Sequence, residues 1–230
     1  MIKIVSKAGC DWAIRSGTTD EYQLGELSDT GVMARMLSSL VLQHHRAVIL
    51  DVGAYIGTFT VKMAKNFPEG RVISFEPDEE AFALLQINAQ LNNVDAILIR
   101  AAVVGANQAA AILHYSGEEW ANSTVKDDAL DLRDTQEVFA ESLGVFLERN
   151  RIQVDLAKVN CEGGEADILM ETEQRHLRRI EHWIIELHED LSGVPNSDLR
   201  DRIEDCGYEL QRYNFGKPGR EWIRAWRIDD

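Results

Sequence analysis

Cysteine is scarce in this chain of 230 residues: there are three, Cys10, Cys161 and Cys206. They are odd in number, far apart and without C-x-x-C spacing, which excludes a disulfide framework and supports no zinc site. A reducing cytoplasm is the expected location. Long apolar runs are missing as well. None approaches the ~18 to 20 residues needed to cross a bilayer, and "KAGC" before Cys10 has nothing insertable upstream, so no membrane partner is expected. Positive charge is in short supply, 24 Lys and Arg against 39 Asp and Glu, for a formal net charge of −15. Such a balance repels phosphate backbones, and nucleic acid is not an expected partner. The one basic cluster, "RHLRRI" with Arg175, Arg178 and Arg179, reads as a solvated helix face. No internal repeat, low-complexity tract or Pro/Gly/Ser linker divides the chain.

What is present is an ordinary globular composition, 45% hydrophobic and 27% charged. That length and composition suit one α/β domain. The expected organisation is a single domain over 1–230, with an N-terminal extension at 1–46 and a core at 47–230 carrying an insertion around 109–150. In the extension "MIKIVSK" and "CDWAIR" read as short strands and "TGVMARMLSSLVLQHH" as a helix. Beyond it, "AVILDV", "RVISFE" and "AILIRAAV" read as buried strands. Helices over "IGTFTVKMAKNF" and "DEEAFALLQINAQLN" separate them, the alternation that calls for a parallel sheet. After the irregular "EEWANSTVKDD", "DTQEVFAESLGVFLERN" reads as an inserted helix. The sheet resumes at "VDLAKV" and "HWIIELHE", with helices at "EGGEADILMETE" and "NSDLRDRIEDC". The last two strands, "YELQRYNF" and "EWIRAWRID", are separated only by "GKPGR" and its neighbours. No crossover helix fits there, so these two must pair antiparallel.

The junction "VILDVGAYIGTFTVKMAK" turns a strand into an amphipathic helix with Gly53 and Gly57 in the bend. Glycine there lets a ligand lie against backbone N–H groups at the positive helix end. The spacing is D-x-G-x-x-x-G, with no glycine at the middle position of a dinucleotide fingerprint. A nucleoside amino acid without a pyrophosphate, such as S-adenosylmethionine, suits it better. Asp51 reads either as the acceptor for an ammonium group or as a turn acid. Tyr55 is placed to pack over the methionine portion, and helix N–H groups after Gly57 to face its carboxylate. Glu76, at the end of the adjacent strand in "ISFEPD", is where an acid accepts ribose hydroxyls, its plainer reading being a helix-capping acid.

With these motifs on the page the sequence resembles the FkbM family of class I S-adenosylmethionine-dependent methyltransferases. "FEPDEEAFALLQINAQLNN", "LAKVNCEGGEADIL" and "IIELHED" are similar to the family's later blocks, and Lys158 with Glu162, Gly163 and Glu165 forms the most specific of them. Asn160 stands where the family usually carries Asp, and Gly164 where it more often carries Ala. The resemblance implies a Rossmann-like α/β fold: a seven-stranded, mostly parallel sheet with a C-terminal antiparallel hairpin and helices on both faces. It implies a cofactor site at Asp51, Gly53, Tyr55, Gly57, Glu76, Pro77, Ala102 and Asn160. It also implies methyl transfer to a hydroxyl of a small molecule, a sugar or natural-product intermediate.

A hydroxyl must lose its proton as the new bond forms, which directs attention to bases at the carboxyl ends of the strands. His188 is the first candidate, with Glu186, two residues before it on the same strand face, to hold its tautomer. Glu162 is the second candidate for catalysis. Glu162 and Glu165 also read as acids that stabilise a helix N-terminus. Trp120, Asn122, Ser123 and Glu165 are candidates for contact with the acceptor. No metal ligand is assigned, while a divalent metal held by the acids and His188 stays open, as does a homodimer. Three alternatives remain: methylation of a small amine, a nicotinamide-dependent oxidoreductase with a degenerate fingerprint, and a non-catalytic S-adenosylmethionine-binding protein.

Overall fold

The computed structural model describes residues 1–26, 32–38, 40, 42, 45–115, 122–125, 134–213 and 218–228. In chain order the elements are β1 (Ile2–Lys7), β2 (Cys10–Arg15), α1 (Asp20–Glu26), α2 (Val32–Ser38), β3 (Val48–Val52), α3 (Thr58–Asn66), β4 (Arg71–Phe75), α4 (Glu79–Leu91), β5 (Ile97–Ile99), β6 (Ala102–Val104), β7 (Ala110–Tyr115) and β8 (Asp134–Ser142). They continue as α5 (Leu143–Asn150), β9 (Val154–Val159), α6 (Gly164–Glu171), α7 (Gln174–Leu177), β10 (Ile180–His188), α8 (Glu189–Ser192), α9 (Asn196–Asp205), β11 (Tyr208–Tyr213) and β12 (Arg220–Arg227).

Seven strands make one sheet in the order β11-β12-β10-β9-β3-β4-β5. The pairs from β10 through β9, β3 and β4 to β5 are parallel. The last strand, β12, is antiparallel to both of its neighbours, as the short "GKPGR" connection requires. Alternation along β3 sets the two faces. Leu50 and Val52 enter a core with Phe146, Ile168, Trp183 and Ile223, and Ile49 enters a second core with Met36, Phe59, Met63 and Trp222. Asp51 shares the parity of Ile49 and therefore points toward α3. The order of the strands reverses at β3 and β9, and the carboxyl ends of both open onto a crevice, the usual ligand position in a sheet of this kind.

Four expectations are corrected. "AILIRAAV" is not one strand: after Ile99 the chain bends, with Ala101 N–H donating to the Ile99 carbonyl at 3.1 Å, and β6 leaves for a three-stranded sheet of order β6-β8-β7. "DTQEVFAES" is a strand, and the helix begins only at Leu143. Its β-branched and aromatic residues Thr135, Val138 and Phe139 suit an extended chain, and six residue pairs with β7 fix it there. The helix expected from "TGVMARMLSSLVLQHH" is described only as α2, ending at Ser38. Finally, Arg175 is exposed, but Arg178 and Arg179 are half-buried and donate to the carbonyls of Cys206 (2.9 Å) and Leu147 (3.2 Å), so they fasten helix ends rather than coat a surface.

The N-terminal strands form an antiparallel hairpin that lies against α4. Two asparagines one helical turn apart hold it, Asn88 on α4 and Asn92 at the cap of its C-terminal end. Asn88 accepts from Ala13 N–H (2.7 Å) and donates to the Ala13 carbonyl (3.2 Å). Asn92 does the same for Asp11, at 3.2 and 2.7 Å. Trp12, Ile14 and Leu24 then bury their side chains beside Ile56 and Leu84. Among the described residues, no helix is long and apolar enough to cross a membrane.

Candidate active site

The bend between β3 and α3 is fixed from below. Strand register puts Asp51 between Ser74 of β4 and Lys158 of β9. Thr60 donates to Asp51 Oδ2 at 2.7 Å and accepts from the Ser74 hydroxyl at 2.8 Å. Lys158 Nζ sits 3.1 Å from Asp51 Oδ1, an ion pair whose direction is not that of a hydrogen bond. The same ammonium donates to the carbonyls of Gly53 (2.6 Å) and Val52 (3.3 Å). Asp51 is fully buried and reaches the crevice only through Lys158. The two glycines answer to protein neighbours. A Cβ on Gly53 would fall 1.9 Å from the Asn160 carbonyl oxygen, and one on Gly57 2.5 Å from Leu85 Cδ1, with both residues at positive φ. The close approach inferred from sequence is real, but it is to the end of β9 and to α4.

One cleft opens above β3 and β4. Glu76, Pro77, Phe75, Ala102, Asn122 and Thr124 line it, together with Gly53, Tyr55, Asn160 and Glu162. Glu76 Oε2 accepts from Tyr55 N–H at 2.7 Å and Oε1 from Asp78 N–H at 2.9 Å. Burial pushes its carboxyl up to about 7 against the pull of those two bonds. Asp78, rather than Glu76, caps α4, accepting from Ala81 N–H at 2.7 Å. A second cavity of about 500 Å³ shares Gly53, Tyr55, Asn160 and Glu162 and is otherwise walled by Met33, Phe59, Trp222, Gln23, Thr58 and Lys158.

Glu162 stands at the junction of the two cavities, on a left-handed backbone (φ 49°) that few non-glycine residues adopt. Burial pushes its carboxyl up to about 7, with Glu186 adding to the rise and His188 and Arg220 opposing it. His188 is fully buried, with Nδ1 2.7 Å from Glu165 Oε1 and Nε2 3.6 Å from Glu162 Oε2. Burial alone would lower its pKa, but Glu165 and Glu162 outweigh that and lift it to about 9. Both carboxylates favour the protonated ring. An imidazole protonated on both nitrogens has no lone pair to offer, so their pull works against the role of proton acceptor expected for His188. Arg220 adds a second cation, 3.4 Å from Glu162 and donating to Asp190 at 2.8 Å. Among the described residues, no group of three or more His, Cys, Asp or Glu is arranged to hold a metal ion.

Of the residues singled out from sequence, Gly53, Tyr55, Glu76, Pro77, Ala102, Asn122, Asn160 and Glu162 line the first cleft. Asp51 and Gly57 lie beneath it. Glu165 was expected near the acceptor, but it is fully buried. Its carboxylate accepts from Gly163 N–H at 3.0 Å and holds His188, because α6 begins by turning it inward. Glu186, expected to hold His188, is 3.9 Å from it and leaves that work to Glu165. Ser123 donates to the Glu162 carbonyl and so pins the segment that carries Asn122. Trp120 lies outside the described residues. Sequence reasoning missed Arg220 and Trp222, although the antiparallel register that sets them opposite His188 and Glu186 follows from the hairpin once β12 pairs with β10.

Comparison with known proteins gives a consistent picture. The family model described as "Methyltransferase FkbM domain" matches residues 51–210. "Methyltransferase 1" of Beauveria bassiana is 28% identical over 158 residues, 60% of this chain and 64% of that protein, so the chain spans slightly less than two thirds of that relative. "Methyltransferase sdnD" of Sordaria araneosa is 26% identical over 196 residues, covering 71% and 74%. Among solved structures, a precorrin-6y C5,15-methyltransferase from Geobacter metallireducens superposes with a TM-score of 0.53 at 16% identity, over 86% of this chain and 90% of that one. An rRNA methylase from Streptococcus thermophilus gives 0.54 at 11% identity, over 88% and 98%. At such identities the structural likeness speaks for the fold alone.

Proposed function

The chain belongs to the FkbM methyltransferase family, and from that premise we propose that it transfers the methyl group of S-adenosylmethionine to a hydroxyl of a small molecule, a sugar or natural-product intermediate. Dependence on S-adenosylmethionine comes with the family; the acceptor is the proposal. The cleft fits the donor on a feature of its own: Asn160 Oδ1 is buried without a hydrogen-bond partner among the described residues and lines both cavities. A buried acceptor left open in this way suits an ammonium group. Glu76 would hold the ribose hydroxyls, and Tyr55 and Asn160 would flank the methionine portion.

The donor, when bound, supplies an electrophilic methyl group on a sulfonium. The chain's own work is to orient the acceptor and take its proton. Glu162 carries this reading, because its carboxylate meets both cavities and is raised to about 7. A carboxylate so poised is partly ionised near neutral pH and accepts a proton more readily than an ordinary one. His188 and Arg220 then balance the charge that Glu162 gives up and regains.

The test is methyl transfer from labelled S-adenosylmethionine to pools of hydroxylated and of amine-bearing small molecules, with wild type beside Glu162→Gln. Label is expected in the hydroxylated pool. Glu162→Gln should lower kcat by about 100-fold or more and abolish the limb of the pH profile near 7, while donor affinity persists. Label confined to amines, or a variant with full turnover, refutes the proposal.

A further inference from the structure

We infer that the N-terminal hairpin and the start of α1 form a brace for the cofactor loop, and that Asp20 is its positioning residue. Asp20 is fully buried at the start of α1. Its carboxylate accepts from Arg15 three times, from the backbone N–H at 2.7 Å, from Nε at 3.1 Å and from Nη2 at 2.9 Å. It also accepts from the Tyr55 hydroxyl at 2.5 Å. Arg15 Nη2 meets the same hydroxyl oxygen at 2.9 Å, and its guanidinium lies 5.5 Å from the Tyr55 ring centre. Burial works to raise the Asp20 carboxyl, but the bonds from Arg15 and Tyr55 outweigh it and hold the group below its ordinary value. The bonds from Arg15 and Tyr55 thus favour the ionised carboxylate.

What this grip holds is specific. Tyr55 sits at φ 51°, a left-handed conformation that a bulky residue keeps only when its surroundings enforce it. In that conformation its N–H points at Glu76 Oε2, 2.7 Å away. Ile56 follows less directly: Asn88 of α4, which grips Ala13, also donates to the Ile56 carbonyl at 2.8 Å, and Ile56 packs beside Trp12 and Ile14. Tyr55 is therefore tied to the N-terminal unit directly, and Ile56 through α4 and apolar packing. The path runs from Asp20 through the Tyr55 phenol and backbone to the carboxylate that faces the donor.

The inference rests on the methyl-donor reading only for its ligand. The experiment takes the full chain as wild type, Asp20→Asn and Tyr55→Phe, and measures S-adenosylmethionine affinity by calorimetry, steady-state kinetics, and hydrogen exchange of the cofactor-free protein. Loss of a charge-assisted bond should raise the donor Kd and KM on the order of tenfold in both variants. Turnover of Asp20→Asn at saturating donor should stay within about twofold, and in both variants faster exchange should be confined to the amides of residues 55–57. A purely structural role would instead speed exchange through the hairpin and α4 alike and lower kcat with KM unchanged, which overturns the inference. Wild-type donor affinity and unchanged loop exchange in both variants overturn it as well. If Asp20→Asn does not fold, Tyr55→Phe decides. If wild type binds no S-adenosylmethionine, the methyl-donor reading fails, and loop exchange alone decides the brace.

Discussion

Replacing Glu76 with Gln should make the cofactor-free protein more stable at pH 8 and less stable at pH 4.5. The carboxyl of Glu76 rises from 4.5 to about 7 on folding, chiefly through burial. A carboxyl raised in the folded state costs nothing below its unfolded pKa and its full penalty above the folded one. At 1.36 kcal/mol per pH unit that penalty is roughly 3 kcal/mol at pH 8. Glutamine removes it at every pH. The substitution has its own cost, because the two side-chain oxygens accept from Tyr55 and Asp78 and an amide offers only one acceptor. A lost bond of this kind costs about 1 to 2 kcal/mol. The balance is a gain of about 1 to 2 kcal/mol at pH 8 and a loss of similar size at pH 4.5. Urea denaturation of Glu76→Gln and wild type at both pH values measures it. Calorimetry at pH 8 should show donor affinity lower by about 10- to 100-fold, the worth of hydrogen bonds to a charged group. Equal destabilisation at both pH values, or unaltered donor binding, refutes the view that this carboxylate bears a desolvation cost for the sake of its ligand.

Lys158→Met leaves Asp51 buried without its cation and should cost about 3 to 5 kcal/mol in urea denaturation. Adding Asp51→Asn should restore a large part of that, and strict additivity of the two losses would show that they do not interact. Gly53→Ala should not yield folded protein by circular dichroism, since its Cβ would lie 1.9 Å from a backbone oxygen; a soluble variant with native melting refutes the geometry. His188 is raised from 6.5 to about 9, so the stability it lends is complete below pH 6.5 and disappears as pH climbs through about 9. The melting temperature should fall over that interval in wild type and much less in His188→Gln, and parallel curves would contradict it.

The central sheet was legible because its strands are short apolar runs between turn residues, and the antiparallel end followed from loop length alone. The excursion was not. "DTQEVFAES" carries enough charge to pass for a helical face, and its extended state depends on pairing with β6 and β7, which are distant in sequence. The place of Glu76 at the cleft was readable because a strand end and its neighbour fix where that acid lies. The acid that holds His188 was not legible, for the opposite reason. Period-two spacing places Glu186 on the face of His188, but the 2.7 Å contact comes from another element, and only the turn at Gly163 decides which way Glu165 faces. Asp20 gave no signal at all, since its partner Tyr55 lies 35 residues away with no periodicity linking them.

The attachment of Ala13 to Asn88 also imposes an order on biosynthesis. The hairpin leaves the ribosome 75 residues ahead of the asparagine that receives it, and an isolated two-stranded ribbon is marginal in water. Until α4 has emerged it has no seat, so stiffness around Tyr55 is acquired late, after β3 and β4 are already available to pair.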